Sequence, residues 1–476
     1  MALYASLSSD ADTDAFDIRL LKLQPSNDRS APIYCKLVTY PLNSGRSHLY
    51  ECLSYVWGSP EGRKAIYMHS NDTQIEVLAT PNLHAALVQL RDPFFERILW
   101  VDAVCINQQD EREKTQQVAA MARIYGLANR VVVWLGGEVD NSALAFQELR
   151  NLSQSQQPVD HFSPEAARIF TADSSRNYNA ETCNADVVLA IHALLNRPYF
   201  RRMWILQEVT AARNILFVCG EAELQTATFL SGLEALPDFD DWKLRNRIRA
   251  FILLIQRSAY RESLKSQAHL NIDTLINLID RFHSNDATDP RDKIYALWGL
   301  CSDSTMMATM QPDYGKTWQN LLEDLGKAIF GDDTVLAASS IKQMLFVRGG
   351  CYDLGKVEDV SSATTWAMEQ EIRITSMGAS MFLEDDYRWS QTIKMRTAAE
   401  QIANDDIVLV LPKARRLIVA RPYEYYFRIV SVVDTSSTQV FEPGRKRSEG
   451  TWVSWEPFLR RIDRLTNEVP LIWNWE

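Results

Sequence analysis

Trp204 and Glu208 are two residues whose types and spacing could support chemistry. They lie four positions apart, so a helix over residues 201–210 would place the indole and the carboxylate on one face. This shared face makes Glu208 a candidate for chemistry. Two plainer interpretations stay open: Glu208 as a surface carboxylate paired with a nearby arginine, and Trp204 as a core residue.

Further polar residues lie where apolar strands are predicted to end. Apolar runs at 50–56, 98–104, 131–135 and 215–219 alternate with stretches of helical spacing, as expected for a parallel sheet with helices on both sides. Ligands bind such sheets outside the carboxyl ends of the strands. The predicted substrate-binding residues come from these strand ends and from Arg202 and Trp204, which precede Glu208. They are Ser54, Tyr55, Trp57, Gly58, Asp102, Asn107, Arg202 and Trp204.

Asp102 is unusual because it interrupts the apolar run that contains Leu99 and Val104. A carboxylate buried alone would be prohibitively unstable, so we expect Asp102 to be paired, hydrogen-bonded or at the strand edge. A structural role and a role in the site are both open for Asp102, and Trp57 can equally be a packing residue.

The pattern along the chain predicts several segments. Thr80 and Pro81 have the residue types that cap and begin a helix, and a second helix is predicted over residues 109–127. The expected organisation is an N-terminal segment packing on the core (1–46), an α/β domain (47–220) with a polar insertion (137–186), a helical region (221–345) and a mixed, β-rich C-terminal region (346–476).

Composition limits the class of protein. The formal net charge of -11 over 476 residues argues against a general nucleic-acid binder, which needs a basic face. Seven scattered cysteines signal neither a disulfide framework nor a metal site, and no histidine pair has metal-ligand spacing. We find no export signal and no apolar run long enough to span a membrane, and therefore expect a cytoplasmic protein with no membrane partner.

Five motifs, in order, resemble those of the fungal heterokaryon-incompatibility domain, the HET domain, over about residues 47–220. They cover residues 50–58, 82–91, 99–108, 117–125 and 132–136. One departure is Lys114, which follows Glu113 where the family usually has Arg. HET domains are thought to be distant relatives of TIR domains. The resemblance therefore implies a TIR-like (flavodoxin-like) parallel sheet with flanking helices, followed by a mainly helical region and a β-rich C-terminal unit.

The resemblance also implies a function. HET proteins trigger programmed cell death in self/non-self recognition, and Glu208 matches the catalytic glutamate of NAD-cleaving TIR domains. It implies hydrolysis of NAD or a related nucleotide, with no separate cofactor and with Arg197, Arg201 and Arg202 able to neutralise a pyrophosphate. The alternative is a non-enzymatic signalling module that causes death through protein partners. In either case we expect a protein partner or self-association to activate the chain.

Overall fold

The computed structural model describes residues 4, 7, 16–42, 48–70, 73–154, 185–236, 241–259, 270–339, 341–362, 369–376, 389–398, 400–443, 450–455 and 467–475. The chain divides into two compact units, Met1–Leu270 and Asn271–Glu476. Most of the predicted polar insertion, residues 155–184, lies outside the described residues, as do Cys183, His161 and His269.

The first unit is built on a nine-stranded sheet. Its strand order is β5-β4-β2-β1-β6-β3-β7-β8-β9. The strands are β1 (Phe16–Leu23), β2 (Tyr34–Leu42), β3 (Glu51–Tyr55), β4 (Lys64–Ser70), β5 (Thr73–Ala79), β6 (Arg97–Trp100), β7 (Arg130–Trp134), β8 (Ile215–Cys219) and β9 (Ala222–Gln225).

Four neighbouring strands of this sheet, β6, β3, β7 and β8, run parallel to one another. All five residues of β3 and of β8 are buried, as expected for strands covered on both faces. The predicted α/β architecture with a parallel-containing sheet is confirmed. The sheet is nevertheless mixed, because β1 of the N-terminal segment joins β6 in antiparallel pairing and brings β2 with it.

Helices connect and cover these strands. In the described part of the first unit they are α1 (Pro81–Leu90), α2 (Asp102–Cys105), α3 (Glu111–Ala119), α4 (Met121–Leu127), α5 (Ser142–Gln154), α6 (Ala185–Leu195), α7 (Ile205–Ala211), α8 (Thr226–Glu234) and α9 (Trp242–Ala259). The hydroxyl of Thr80 accepts a hydrogen bond from the backbone N–H of Leu83, so the predicted cap of α1 is confirmed.

The prediction of a single helix over residues 109–127 is wrong, because the helix is interrupted at Ala120. The side chain of Asp110 caps α3, which is mostly half-buried, whereas α4 buries most of its residues, including Ile124 and Tyr125. Ending one helix and starting another lets the apolar face of α4 turn toward the sheet.

The described part of the second unit contains four helices and a large sheet, and the β-rich C-terminal region that the strand pattern predicts is present. The helices are α10 (Leu275–Phe282), α11 (Asp292–Trp298), α12 (Ser304–Thr309) and α13 (Trp318–Phe330). The strands are β10 (Val335–Ala338), β11 (Met344–Ser362), β12 (Glu369–Ser376), β13 (Trp389–Arg396), β14 (Ile407–Leu411), β15 (Arg416–Pro422), β16 (Phe427–Asp434), β17 (Gln439–Pro443), β18 (Gly450–Val453) and β19 (Asn467–Asn474).

The long strand β11 pairs with both β14 and β19, which closes a ring through β15 and β16. Closure gives the backbone N–H and C=O groups at the edges of these strands hydrogen-bond partners. It also encloses an aliphatic core that includes Leu354, Val408 and Val419. No helix in the described part of the chain combines the length and apolar character that crossing a lipid bilayer requires.

A buried carboxyl group ties helix to sheet in the second unit. Asp280 of α10 is 2% exposed, and its two oxygens accept from the Ser431 hydroxyl (3.0 Å) and the Val432 backbone N–H (2.7 Å) of β16. Burial raises the pKa of Asp280 to about 7, against the lowering effect of these hydrogen bonds. Asp280 therefore provides the acceptors for two donors that have no access to water.

We predict that Asp280→Ala lowers the free energy of unfolding by about 2–4 kcal/mol, because it leaves the Val432 N–H and the Ser431 hydroxyl buried without an acceptor. Denaturant unfolding checks this. The matched control is Asp332→Ala, which removes an exposed carboxylate. Equal unfolding midpoints for the two variants would contradict the role assigned to Asp280.

Candidate functional site

A chain of three hydrogen-bonding side chains lies at the carboxyl end of β3. Ser54, which is fully buried, donates its hydroxyl to the Oε2 atom of Glu208 and lies 2.8 Å from the hydroxyl of Tyr199. A serine hydroxyl has one proton, so when Ser54 donates to Glu208, Tyr199 donates to Ser54. Tyr199 belongs to a 3₁₀ turn, Pro198–Arg201, that precedes α7. Tyr199 was not among the residues predicted for the site.

Glu208 lies on a helix in which all seven residues are buried. Trp204 occupies its N-cap, and the backbone N–H of Glu208 donates to the carbonyl of Trp204 at 3.2 Å, so the predicted i,i+4 relation is present. The helix begins at Ile205 rather than at 201. Glu208 is 1% exposed, which rules out the interpretation as a surface carboxylate, and Trp204 is half-buried.

Burial sets the protonation of Glu208. Loss of hydration raises its pKa to about 7, the Arg202 cation and the Ser54 hydrogen bond lower it, and the Asp102 charge raises it. Burial alone lowers the pKa of Arg202, but the carboxylates of Glu208 and Asp102 raise it above its ordinary value. Arg202 also donates to the carbonyl of Tyr55, which fixes its guanidinium at the end of β3.

Asp102 is the second carboxylate of the site. It is the first residue of α2, since β6 ends at Trp100, so the prediction that the strand continues to Val104 is wrong. One oxygen of Asp102 accepts from the backbone N–H of Ala103 (2.7 Å), and the other accepts from the indole N–H of Trp57 (2.8 Å). Burial raises the pKa of Asp102, while the charge of Arg202 and these hydrogen bonds oppose the rise. Asp102 is thus hydrogen-bonded, as expected for a carboxylate in an apolar run.

Three more predicted residues, Tyr55, Trp57 and Gly58, lie at the end of β3 and just after it. Tyr55 is buried, and burial together with the charge of Asp102 raises the pKa of its phenol. Trp57 is 40% exposed although its indole nitrogen is bonded. Gly58 has a φ of 75°, a left-handed conformation that favours glycine, and it ends the turn out of β3.

Among the described residues, no hydrogen bond links Asn107 to Glu208. Its side-chain oxygen accepts from the backbone N–H of Gln109 (3.2 Å), and the backbone N–H of Asn107 donates to the carboxylate of Glu113 (2.7 Å). Glu113 in turn receives two hydrogen bonds from the buried Arg19 of β1, at 2.6 and 2.9 Å. Arg19 therefore supplies a bidentate contact to Glu113 from a distant strand, and Asn107 acts in the local turn.

Arg197 does not serve the predicted role at a pyrophosphate. Its guanidinium is buried and donates to the carbonyls of Leu135 (2.8 Å), Gly137 (3.2 Å) and Val139 (3.1 Å). These hydrogen bonds satisfy backbone carbonyls at and after the end of β7. They also occupy the N–H groups of Arg197 that an anion would need. Arg201, in contrast, is exposed. In the described part of the chain, no group of three or more His, Cys, Asp or Glu residues is placed to hold a metal ion.

We predict that Glu208 makes a pH-dependent contribution to the free energy of unfolding. Unfolded Glu ionises near pH 4.3, whereas folded Glu208 keeps its proton to about pH 7, so the folded state binds more protons between these values and stability falls as pH rises. The free energy of unfolding of the wild type minus that of Glu208→Gln should drop by about 3 kcal/mol from pH 4 to pH 8. A difference that is constant with pH would refute the assignment.

Comparisons with known proteins identify a family for this part of the chain. The family model described as Heterokaryon incompatibility protein (HET) matches residues 50–208, a range that contains Ser54, Asp102 and Glu208. The chain is 28% identical over 339 residues to Heterokaryon incompatibility protein 6, OR allele, of Neurospora crassa, covering 62% of this chain and 49% of that protein. It therefore spans about half the length of this relative. No solved structure matches the chain. The chain contains a heterokaryon-incompatibility (HET) domain, and Glu208 is the last residue of the matched range.

Proposed function

We propose that the chain acts in heterokaryon incompatibility as an effector of programmed cell death, and that its HET domain hydrolyses NAD or a related nucleotide through Glu208. The observation that carries the proposal is the buried Glu208 carboxyl, whose pKa is about 7 and which is bonded to Ser54 at the end of β3. A carboxyl whose pKa lies near the working pH is a common feature of catalytic sites.

The strand order supports a TIR-like, flavodoxin-like interpretation of the domain. Among the four parallel strands, β3 comes first in the chain and lies between β6, the second, and β7, the third. This 2-1-3-4 order is the start of the flavodoxin-like order, in which ligands bind where the order reverses, between the first and third strands. Ser54 lies on the first of these strands and pairs in register with Val133 of the third.

The chemistry requires one well-placed carboxylate. Cleavage of the nicotinamide–ribose bond leaves the bonding electrons on nicotinamide and develops positive charge on the ribose, which ionised Glu208 would stabilise. Water then forms the new bond to the ribose carbon and releases a proton. Nicotinamide is a good leaving group, so no strong general acid is needed. Ser54 would orient Glu208, and the half-buried ring of Trp204 offers a surface for stacking.

The proposal also requires that a substrate can reach the Glu208 carboxylate. With Glu208 only 1% exposed, a substrate reaches the carboxylate only if neighbouring groups move, and Trp204, one turn before it on the helix, is the natural candidate. A protein partner or self-association that shifts α7 would supply such a movement. Activation would then convert a closed site into an open one.

A second candidate function is a non-enzymatic module that triggers death by assembling with protein partners. The burial of Glu208 favours this candidate. A buried carboxyl that is bonded to Ser54 and close enough to feel the charge of Arg202 can serve to hold β3 and α7 together. The two candidates differ in what a neutral isostere at Glu208 does to cellular NAD.

We predict that expression of the chain in fungal cells lowers NAD and kills, and that Glu208→Gln, at equal protein level, reduces the rate of NAD loss by about 100-fold or more, as expected when a group that stabilises the transition state is removed. NAD content and viability are measured together over time. The matched control, Glu111→Gln, changes an exposed carboxylate of α3 and should behave as wild type.

Killing by Glu208→Gln at the wild-type rate would contradict the enzymatic proposal. If that killing occurs without NAD loss, the assembly module is the correct candidate. Killing by neither protein would contradict the role in cell death.

A further inference from the structure

An open groove of about 770 Å³ lies beside α1 in the first unit. One wall is a stripe of α1 that includes His84 and Gln89, and Lys64 and Tyr67 of β4 line another part. Trp134, the last residue of β7, also lines the groove. This volume falls within the range of sites that hold drug-sized or cofactor-sized molecules.

The groove and the Glu208 cluster lie on opposite faces of the sheet. Trp134 pairs in register with Tyr55, the neighbour of Ser54 in β3, and successive strand residues point to opposite faces. Ser54 contacts Glu208 of α7, whereas the indole N–H of Trp134 donates to the side chain of Asn82 in α1, at 2.9 Å. A ligand in the groove would therefore occupy a site separate from Glu208.

Two cationic side chains and two carboxylates line the groove. Lys64 is exposed and, among the described residues, its ammonium makes no hydrogen bond or ion pair. Burial, with the charges of Lys64 and Arg91, lowers the pKa of His84, so the imidazole nearby is neutral at pH 7 and can donate one hydrogen bond. Arg29 donates to Gln89 (3.1 Å) and is paired with Glu221 (2.7 Å). An anionic group of the ligand would complete the pairing of Lys64.

The rest of the lining suits the remainder of such a ligand. The exposed carboxylate of Glu138, in the turn after β7, offers acceptors for hydroxyl donors such as those of a ribose. Tyr67, which is partly exposed, brings an aromatic ring to the groove, whereas Trp134 is buried beneath it. A molecule that carries a phosphate, a diol and a planar ring matches these three kinds of group together.

We propose that this groove binds a nucleoside phosphate, with the phosphate at Lys64 and Arg29 and the sugar hydroxyls at Glu138. This site is additional to the one at Glu208 and does not depend on NAD hydrolysis. Its place outside the carboxyl end of β7 is where open α/β sheets bind ligands.

The test is calorimetric titration of the full chain with AMP, adenosine and inorganic phosphate in low salt. AMP should bind more tightly than adenosine or phosphate. Lys64→Glu should weaken AMP binding by about tenfold or more, because a charge-assisted hydrogen bond is lost. Glu221→Gln should strengthen binding, because it releases Arg29 from its ion pair. The control Lys36→Glu reverses the charge of an exposed lysine of β2 that does not line the groove, and should bind AMP as the wild type does.

Three outcomes would overturn the proposal: no binding of AMP, equal affinity for AMP and phosphate, or wild-type affinity in a Lys64→Glu protein whose circular dichroism and thermal midpoint match the wild type. Glu208→Gln separates this inference from the proposed function. It should leave AMP binding unchanged. Loss of AMP binding in Glu208→Gln but not in Lys64→Glu would place the nucleotide at the Glu208 cluster, which overturns the groove site and leaves the proposed hydrolysis standing.

Discussion

The Glu208 carboxyl group is 1% exposed and has therefore lost nearly all of its hydration. The groups around it in the HET domain must offset that loss. Taking a carboxylate out of water costs several kcal/mol unless hydrogen bonds and an opposite charge compensate. Here the Ser54 hydroxyl and the Arg202 cation compensate in part, while Asp102 opposes ionisation, so the pKa remains near 7. Glu208 is consequently poised between its two protonation states at neutral pH, which neither a surface carboxylate nor a fully paired one would be.

The surrounding elements keep these groups in place. Arg202 is fixed by the carbonyl of Tyr55, and Asp102 by the indole of Trp57. Asn82 of α1 bridges two strand ends, donating to the carbonyl of Val56 (2.6 Å) and accepting from Trp134 of β7. The carboxyl edge of the sheet is therefore tied together by side chains that belong to different elements, and a movement of α7 would alter the environment of Glu208 directly.

Local patterns predicted what depends on neighbours in sequence. Periodicity located the four parallel strands and the cap at Thr80, and the i,i+4 spacing correctly related Trp204 to Glu208. Contacts between residues that are distant in sequence produce no local pattern from which they could be predicted. Tyr199 lies 145 positions from Ser54, and Arg19 lies 94 positions from Glu113. The antiparallel addition of β1 to β6 is equally non-local. Burial of Glu208 could not be read from its charged type, because it results from how α7 packs on the sheet.

The most direct measurement is a ¹³C NMR titration of the glutamate side-chain carboxyls, with Glu208→Gln used to assign the resonance that disappears. We predict that the Glu208 carboxyl titrates near pH 7, and that Ser54→Ala, which removes a hydrogen bond to the ionised form, moves its pKa higher still. Titration near pH 4.5, the ordinary value of a solvated glutamate, would contradict the account.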